Sequence, residues 1–210
     1  MQHLNLPIAK AGGKNERRDA AANRQQILIT AAALFNEHGV ENVCMSDIAK
    51  AAKVGKGTLY RRFSSKGELC LALLDSELQT FQNQVLHIFR EKSEQGESAL
   101  DRLNWFINEA VKFTHSHLEL MVEISILGSE NAVQDVNQPH FWMEMTVQAH
   151  LKEMMQDESM PADTDLDYLT SAILAPLDAR ILKYHLYTRN YTVEQISSGL
   201  QTLIRSVSRT

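Results

Sequence analysis

Apolar residues recur at intervals of three and four along almost the whole sequence, as at Ile27, Ala31 and Leu34. This spacing places them on one face of an α-helix. Only 4 Pro and 9 Gly interrupt the 210 residues, and the remaining composition is rich in Ala, Leu, Glu, Gln and Met, which favour helix. We therefore expect an all-α fold.

The breaks in the apolar pattern divide the chain into about nine predicted helices. Asn23 and Ser46 can cap the first and second helices, and Ser65 with Glu68 forms a capping-box pattern before a long fourth helix. A second such pattern, Thr192 with Gln195, begins the last helix. The predicted helices span residues 23–39, 47–53, 56–63, 65–91, 97–114, 117–127, 138–156, 165–187 and 192–206, with a kink expected at Pro176.

Charge is unevenly distributed along the chain. Residues 1–70 contain 11 Lys and Arg against 6 Asp and Glu, a formal charge of +5, whereas residues 71–210 contain 10 against 20, a formal charge of −10. A basic N-terminal third suits contact with phosphates, and an acidic remainder does not. We predict a mobile basic arm at 1–22, a DNA-binding domain at 23–69 and a regulatory domain at 70–210.

Two short predicted helices flank a tight turn at Val54 and Gly55. Small residues at Ala49 and Ala52 allow these helices to approach closely, and the second of them is basic. The major groove of DNA admits one helix, which a preceding helix holds across the backbone. The pattern therefore predicts a helix-turn-helix that binds double-stranded DNA.

From residue 26 to residue 69 the sequence resembles the DNA-binding segment of the TetR family of bacterial regulators. The resemblance covers about a quarter of the chain, but it consists of several ordered elements. These are Ala31-Ala32-x-Leu34-Phe35 and Gly39, then Asp47-Ile48-Ala49-x-x-Ala52, then Val54-Gly55-Lys56-Gly57-Thr58-Leu59-Tyr60, followed by Phe63 and Lys66-x-x-Leu69.

The resemblance implies roles for individual residues. Tyr60 and Lys66 stand where the family binds phosphates, and Ser46 stands where the second helix meets the DNA backbone. Met45 departs from the small hydroxylated residue usual at its position, which removes one phosphate contact. The family's base-facing positions are occupied by Lys56, Gly57, Thr58 and Arg61. Packing for Tyr60, and solvation for Lys66 and Arg61, are the alternatives.

The resemblance also implies that the C-terminal domain encloses an inducer pocket and pairs with a second copy through its final two helices. Aromatic and methionine side chains suit a site for apolar ligands, although filling of the core explains the same residues. The acidic excess of this domain favours a cationic or neutral ligand. The candidate ligand-binding residues are Trp105, Phe106, Phe113, Met121, Trp142 and Met145.

We therefore predict a cytoplasmic homodimer that represses transcription until a small, largely apolar inducer releases it from a palindromic operator. A regulator of the same fold that answers to a protein partner or to no ligand is one alternative. A helical enzyme using Glu109, Glu123 or His117 is another, although no nucleophile or phosphate-loop motif is present. We expect no cofactor, because His115 and His117 diverge on a helix and the two cysteines are far apart in sequence.

Overall fold

The computed structural model describes residues 13–130 and 139–208, and every regular element in these two ranges is helical. This confirms the all-α prediction. The ranges contain ten α-helices, one more than predicted, and a short 3-10 segment, Ala175–Leu177. The helices are α1 Gly13–His38, α2 Met45–Ala51, α3 Lys56–Arg62, α4 Lys66–Glu94, α5 Ala99–Ser116, α6 Leu118–Glu130, α7 Pro139–Gln156, α8 Leu166–Leu174, α9 Ala179–Tyr187 and α10 Val193–Val207.

Helix α1 begins at Gly13, well before the predicted start at Asn23. Residues 13–22, which we expected to be part of a mobile arm, are therefore helical, and residues 1–12 of that arm lie outside the described residues. The added stretch, GKNERRDAAA, has no large apolar side chain and hence no apolar period. It nevertheless contains three Ala and two Arg, which favour helix, and extending an existing helix does not require a second nucleation step.

The predicted kink at Pro176 is wrong, because the chain breaks there into two helices. Pro176 lies in the 3-10 segment, and the chain then starts again as α9. The Asp178 carboxylate caps the new helix by accepting hydrogen bonds from the backbone N–H groups of Arg180, at 2.9 Å, and Ile181, at 3.3 Å. Loss of a backbone donor at proline and a strong cap two residues later together end one helix and begin another.

The described chain forms two compact units that divide between Ser65 and Lys66. In the N-terminal unit, α1, α2 and α3 bury a common apolar core. The chain leaves α1 at Gly39, whose φ of 81° and N–H bond to Phe35 O at 2.9 Å form the predicted glycine stop. The buried side chains of this core include Ile27, Ala31, Phe35, Ile48, Ala49, Leu59 and Phe63.

The C-terminal unit is a bundle in which α4 packs on α6, α5 packs on α7 and α10, and α7 packs on α8. Helix α5 is its centre, with Leu103, Phe106 and Ile107 fully buried. Ion pairs also connect helices of this bundle. Arg102 on α5 bonds to Glu153 on α7 at 2.5 Å, and Lys183 on α9 bonds to Glu119 on α6 at 3.1 Å.

Candidate functional site

Helices α2 and α3 are joined by a turn whose sharpest residue is Lys53. Lys53 has a φ of 55°, in the left-handed region, and the N–H of Val54 closes the turn by donating to Ala49 O at 3.0 Å. Gly55, which the sequence places in this turn, has an ordinary extended conformation and serves as the N-cap of α3. The two short helices therefore lie side by side across a tight connection, as the sequence predicts.

The outer surface of α3 contains most of the residues predicted to contact bases. Leu59 is fully buried beneath it, so the exposed side chains of Lys56, Tyr60 and Arg61 face solvent. Thr58 is half-buried. A Cβ added to Gly57 would meet no atom within 4 Å, so that the backbone of the helix is open at this point. The arrangement presents a basic, locally flat helix surface.

At the start of α2, the neighbouring residues Met45 and Ser46 lie in different environments. The Met45 side chain is buried in the core, which accounts for a side chain that departs from the family pattern at this position. Ser46 is half-exposed, and its Oγ lies 2.8 Å from the Sγ of Cys44. The residue that caps α2 is Cys44, not Ser46 as predicted, and the Asp47 carboxylate accepts a hydrogen bond from the Cys44 N–H at 3.1 Å.

Lys66, the first residue of α4, already has a partner in the C-terminal unit. Its Nζ lies 2.8 Å from Oε1 of Glu123 on α6, and both side chains are only 18% exposed. Cys70, one turn further along α4, is buried beside this pair. Burial, together with the nearby Glu123 carboxylate, raises the pKa of the Cys70 thiol to about 12. Cys44, in contrast, is exposed.

Six aromatic side chains of α4, α5 and α7 form a continuous cluster, which we call the aromatic column. The stacked pair Phe81 and Phe113, with ring centroids 4.4 Å apart, forms one end. Trp142 contacts Phe81 at 5.7 Å and Phe106 at 5.6 Å, both edge to face. Phe89 then lies 5.9 Å from Phe106 and 5.6 Å from Trp105. The members are Phe81, Phe89, Trp105, Phe106, Phe113 and Trp142.

Four of the six predicted ligand-binding residues, Trp105, Phe106, Phe113 and Trp142, belong to the aromatic column. Met121 is half-buried on α6. The structure does not bring Met145 to the column. Met145 is 51% exposed because it lies two residues from both Met143 and Val147, which are buried on the inner face of α7.

Phe81 and Phe89 were not among the predicted ligand-binding residues, which all lie in helices after α4. Phe81, Val85 and Phe89 are four residues apart, which is the spacing of one helix face. This spacing could have identified the two phenylalanines from the sequence. The aromatic residues that they contact on α5 and α7 could not be predicted, since contacts between helices depend on tertiary packing.

One end of the aromatic column opens into a cleft of about 240 Å³ between α4 and α5, which we call the α4–α5 cleft. His117 forms part of its wall, with Nδ1 2.9 Å from Phe113 O and Nε2 2.6 Å from Glu77 Oε2. The stacked rings of Phe81 and Phe113 provide its apolar surface. The cleft is lined by Glu77, Thr80, Phe81, Gln84, Phe113 and His117.

His150 lies at the other end of the aromatic column, 4.5 Å from the ring of Phe89. Burial lowers the pKa of His150 and outweighs the opposing hydrogen bond from its Nδ1 to Thr146 O. A neutral imidazole is thus favoured at this end. Within residues 13–130 and 139–208, no three His, Cys, Asp or Glu side chains are grouped as metal ligands would be.

The faces of α8 and α9 expose large apolar side chains. Tyr168 is 75% exposed and Tyr187 is 65% exposed, and Ile181 and Tyr184 are also exposed. Ile181 and Tyr184 border a groove of about 550 Å³ on α7, α8 and α9. None of the helices in the described part of the chain is long and apolar enough to cross a membrane.

Comparison with known proteins places the most specific likeness at the N-terminal unit. The family model described as bacterial regulatory proteins, tetR family, matches residues 27–73. An HTH-type transcriptional regulator of Staphylococcus aureus (strain bovine RF122 / ET3-1) is 47% identical over 72 residues, which are 34% of this chain and 39% of that relative. A second, from strain MRSA252, is 28% identical over 180 residues, which are 85% of this chain and 90% of the relative.

Two solved structures share the fold over most of the chain. The first is Thermus thermophilus FadR, a TetR-family transcriptional repressor in complex with lauroyl-CoA, with a TM-score of 0.65, 18% identity, and coverage of 89% of this chain and 96% of that one. The second is FadR from Bacillus subtilis in complex with stearoyl-CoA, with a TM-score of 0.60, 19% identity, and coverage of 87% and 97%. At 18% and 19% identity, these similarities show a shared fold alone.

Proposed function

Because this chain belongs to the tetR family of bacterial regulatory proteins, as a helix-turn-helix transcriptional regulator, we propose that it is a ligand-controlled repressor that acts in the cytoplasm by binding rather than catalysis. In this proposal a homodimer holds a palindromic operator until a small, largely apolar ligand enters the C-terminal unit. The observation that carries the proposal is the combination of an exposed basic α3 with an aromatic column in a separate compact unit.

For the DNA contacts, we assign α3 to the major groove. Lys56, Gly57, Thr58 and Arg61 read bases, and Tyr60 binds a phosphate with its hydroxyl. Exposure supports the assignment of Tyr60, since its side chain is half-exposed while Leu59 and Phe63 already fill the core. Two further phosphate contacts are assigned to the half-exposed Ser46 and to Lys66.

For the dimer, we keep the final two predicted helices, 165–187 and 192–206, which form α8, α9 and α10, and within them we assign in particular the exposed faces of α8 and α9. Large apolar side chains exposed together are unfavourable on a monomer and suit an interface with a second copy. A single helix-turn-helix also has a small footprint on DNA, and pairing doubles it. Two α3 helices in successive major grooves would lie about 34 to 36 Å apart and read an inverted repeat.

For the ligand, we assign the aromatic column and the space that adjoins it. Aromatic rings offer broad apolar surface with few conformations to lose, which suits an apolar ligand. The titles of the two FadR structures name acyl-CoA ligands, and these are ligands of those proteins. The same bundle can therefore accommodate molecules with long apolar parts.

Genomic footprinting followed by binding assays tests the proposal. Footprinting with the full chain should recover an inverted repeat, and titration of that DNA against random DNA then measures specificity. Lys56→Ala or Thr58→Ala should relax the preference at particular base pairs by roughly 1 to 3 kcal/mol. Tyr60→Phe should weaken binding to both DNAs equally. Equal losses on operator and random DNA for Lys56→Ala would contradict the base-reading assignment.

A further inference from the structure

We propose that the α4–α5 cleft is a head-group site for an amphiphilic carboxylate, which binds the Nε2 of His117 in the place that the Glu77 carboxylate occupies. The apolar part of such a ligand would lie against the stacked rings of Phe81 and Phe113. This inference rests on the proposed function, because it specifies the ligand class and the anchoring residue of the proposed ligand site.

The hydrogen bonds of His117 define the chemistry of the site. Both of its ring nitrogens face acceptors, the backbone carbonyl of Phe113 at 2.9 Å and the carboxylate of Glu77 at 2.6 Å. A ring nitrogen that faces an acceptor binds it by donating its hydrogen, and a carboxylate is the acceptor that Nε2 faces. The bond from Nδ1 lies within one turn of α5, so it fixes the ring and aims the Nε2–H at the position of a carboxylate.

The two partners differ in how firmly they are held. The His117 side chain is 17% exposed, whereas the Glu77 side chain is 65% exposed. Glu77 can therefore turn into solvent at little cost, while His117 stays in the wall of the cleft. The Glu77 carboxylate occupies the position that we propose for the carboxylate of the ligand. An incoming carboxylate would replace it as the hydrogen-bond acceptor of His117 Nε2.

The acidic excess of the C-terminal domain led us to expect a cationic or neutral ligand, but the charges within this cleft favour exchange of one carboxylate for another. Glu77 and His117 are the titratable residues that line the cleft. A cation bound to Glu77 would draw this carboxylate from His117 and leave the Nε2 of His117 without its acceptor. An anion leaves His117 with a partner of the same kind. Glu119, two residues after His117, is already paired with Lys183.

The apolar surface begins directly beside the head-group position. The ring of Phe113 lies 4.5 Å from the ring of His117 and 4.4 Å from the ring of Phe81. Trp142 contacts Phe81, so its fluorescence can report on a ligand in the cleft. Release of Glu77 would also remove a bond that ties α4 to α5. The site thereby links ligand binding to α4, which follows the N-terminal unit directly in the chain.

Three probes with the same alkyl chain test the head-group preference: octanoate, octanol and octyltrimethylammonium, each titrated into the full chain with tryptophan fluorescence as the readout. We expect octanoate to bind most tightly. His117→Phe, which keeps the ring stacking and removes both nitrogens, should weaken octanoate binding about tenfold or more and leave octanol unchanged. Glu77→Gln should strengthen octanoate binding, because it removes the competing charge.

The matched control is Glu91→Gln, which alters another Glu–His pair on α4, with His87 at 3.5 Å, outside the cleft. It should leave all three affinities unchanged. Equal affinities for octanoate and octanol, or tightest binding of octyltrimethylammonium, would overturn the proposal. If thermal melting shows that His117→Phe does not fold, His117→Gln replaces it, and unchanged octanoate affinity in that variant would equally overturn it.

Operator binding separates failure of this site from failure of the proposed function. If the wild-type chain binds its operator but shows no preference for octanoate over octanol, the carboxylate site is wrong and the proposed regulator stands. If octanoate binds as expected but no operator can be found, the site stands and the proposed function is wrong.

Discussion

Gly57 is a glycine that the fold of α3 does not require. It lies inside the seven-residue helix α3, has no positive φ, and has open space where a Cβ would be. Neither backbone conformation nor internal packing therefore requires glycine. Glycine within a helix is unfavourable by roughly 0.5 to 1 kcal/mol relative to alanine. Close approach of DNA to the helix backbone is the explanation that we favour.

Gly57→Ala should therefore raise stability and weaken operator binding in the same protein. We expect a gain of roughly 0.5 to 1 kcal/mol in unfolding free energy, because alanine restricts the unfolded chain and suits the helix. Denaturant unfolding measures the gain, and titration with operator DNA measures the loss. A variant that is more stable and binds DNA as well as the wild type would show that nothing approaches this face closely.

The Lys66–Glu123 pair places a proposed phosphate contact in competition with an internal carboxylate. We expect Glu123→Gln to strengthen DNA binding, since Lys66 no longer has to leave a charged partner in a poorly exposed position. Lys66→Ala should weaken binding and reduce the slope of log affinity against log salt by about one unit. Titrations over a range of KCl concentrations measure both effects.

The double variant provides the control for this competition. Adding Glu123→Gln to Lys66→Ala should produce no gain in DNA affinity, because the lysine that it would release is missing. A gain of the same size with and without Lys66 would instead indicate a general effect of removing negative charge.

Among the helices, those with a clear apolar stripe and a polar cap were predictable from sequence. The last helix is an example, and its predicted capping box is confirmed by reciprocal bonds between Thr192 and Gln195 at 2.8 and 3.2 Å. The start of α1 was missed because residues 13–22 contain helix-forming residues but no large apolar side chain. The pairing of Phe81 with Phe113 was beyond sequence reasoning, because it depends on how α4 and α5 pack.

The break before α9 makes Asp178 important for that helix. Burial tends to raise the pKa of Asp178, but hydrogen bonds from the Arg180 side chain and from the backbone N–H groups of Arg180 and Ile181 outweigh it and lower the pKa. A carboxyl whose pKa is lower in the folded state stabilises the fold above the pKa of the unfolded chain. That contribution is lost as the pH falls through the folded-state value.

Asp178→Ala should accordingly cost about 1 kcal/mol of stability near neutral pH, the usual value of an N-cap. The difference from the wild type should begin to shrink as the pH falls below about 4, where the carboxyl of the unfolded chain becomes protonated, and should be lost as the pH falls through the lower folded-state pKa. Denaturant unfolding at several pH values tests this. Asp165→Ala, which removes the N-cap of α8, is the matched comparison, and a loss for Asp178→Ala that is independent of pH would count against the role of charge.

The whole molecule brings together a unit proposed to read DNA and a unit proposed to bind a ligand, and dimerisation would give the first its specificity. The exposed apolar faces of α8 and α9 are where we expect a second copy. A charge in the centre of such an interface is costly unless it is paired. A charge introduced on this surface should therefore weaken operator binding by the N-terminal unit without changing the structure of that unit.

Tyr184→Glu should shift the chain from dimer to monomer in analytical ultracentrifugation and weaken operator binding, since a single α3 retains only half of the contacts. Leu86→Glu is the control, because Leu86 is also an exposed apolar residue but lies on α4. It should leave both properties unchanged. A Tyr184→Glu chain that stays dimeric and binds the operator normally would exclude this face.

The position of the division between the two units bears on how such regulators can evolve. The first Staphylococcus relative is 47% identical over 72 residues, whereas the second is 28% identical over 180 residues. The division falls before Lys66, and the ion pair with Glu123 lies wholly on the C-terminal side. Recombination at this point would transfer the proposed ligand-binding unit together with Lys66, the proposed phosphate contact, and its ion-pair partner Glu123. If Lys66 binds phosphate as we propose, a new N-terminal unit would obtain part of its DNA affinity from the C-terminal unit that it joins.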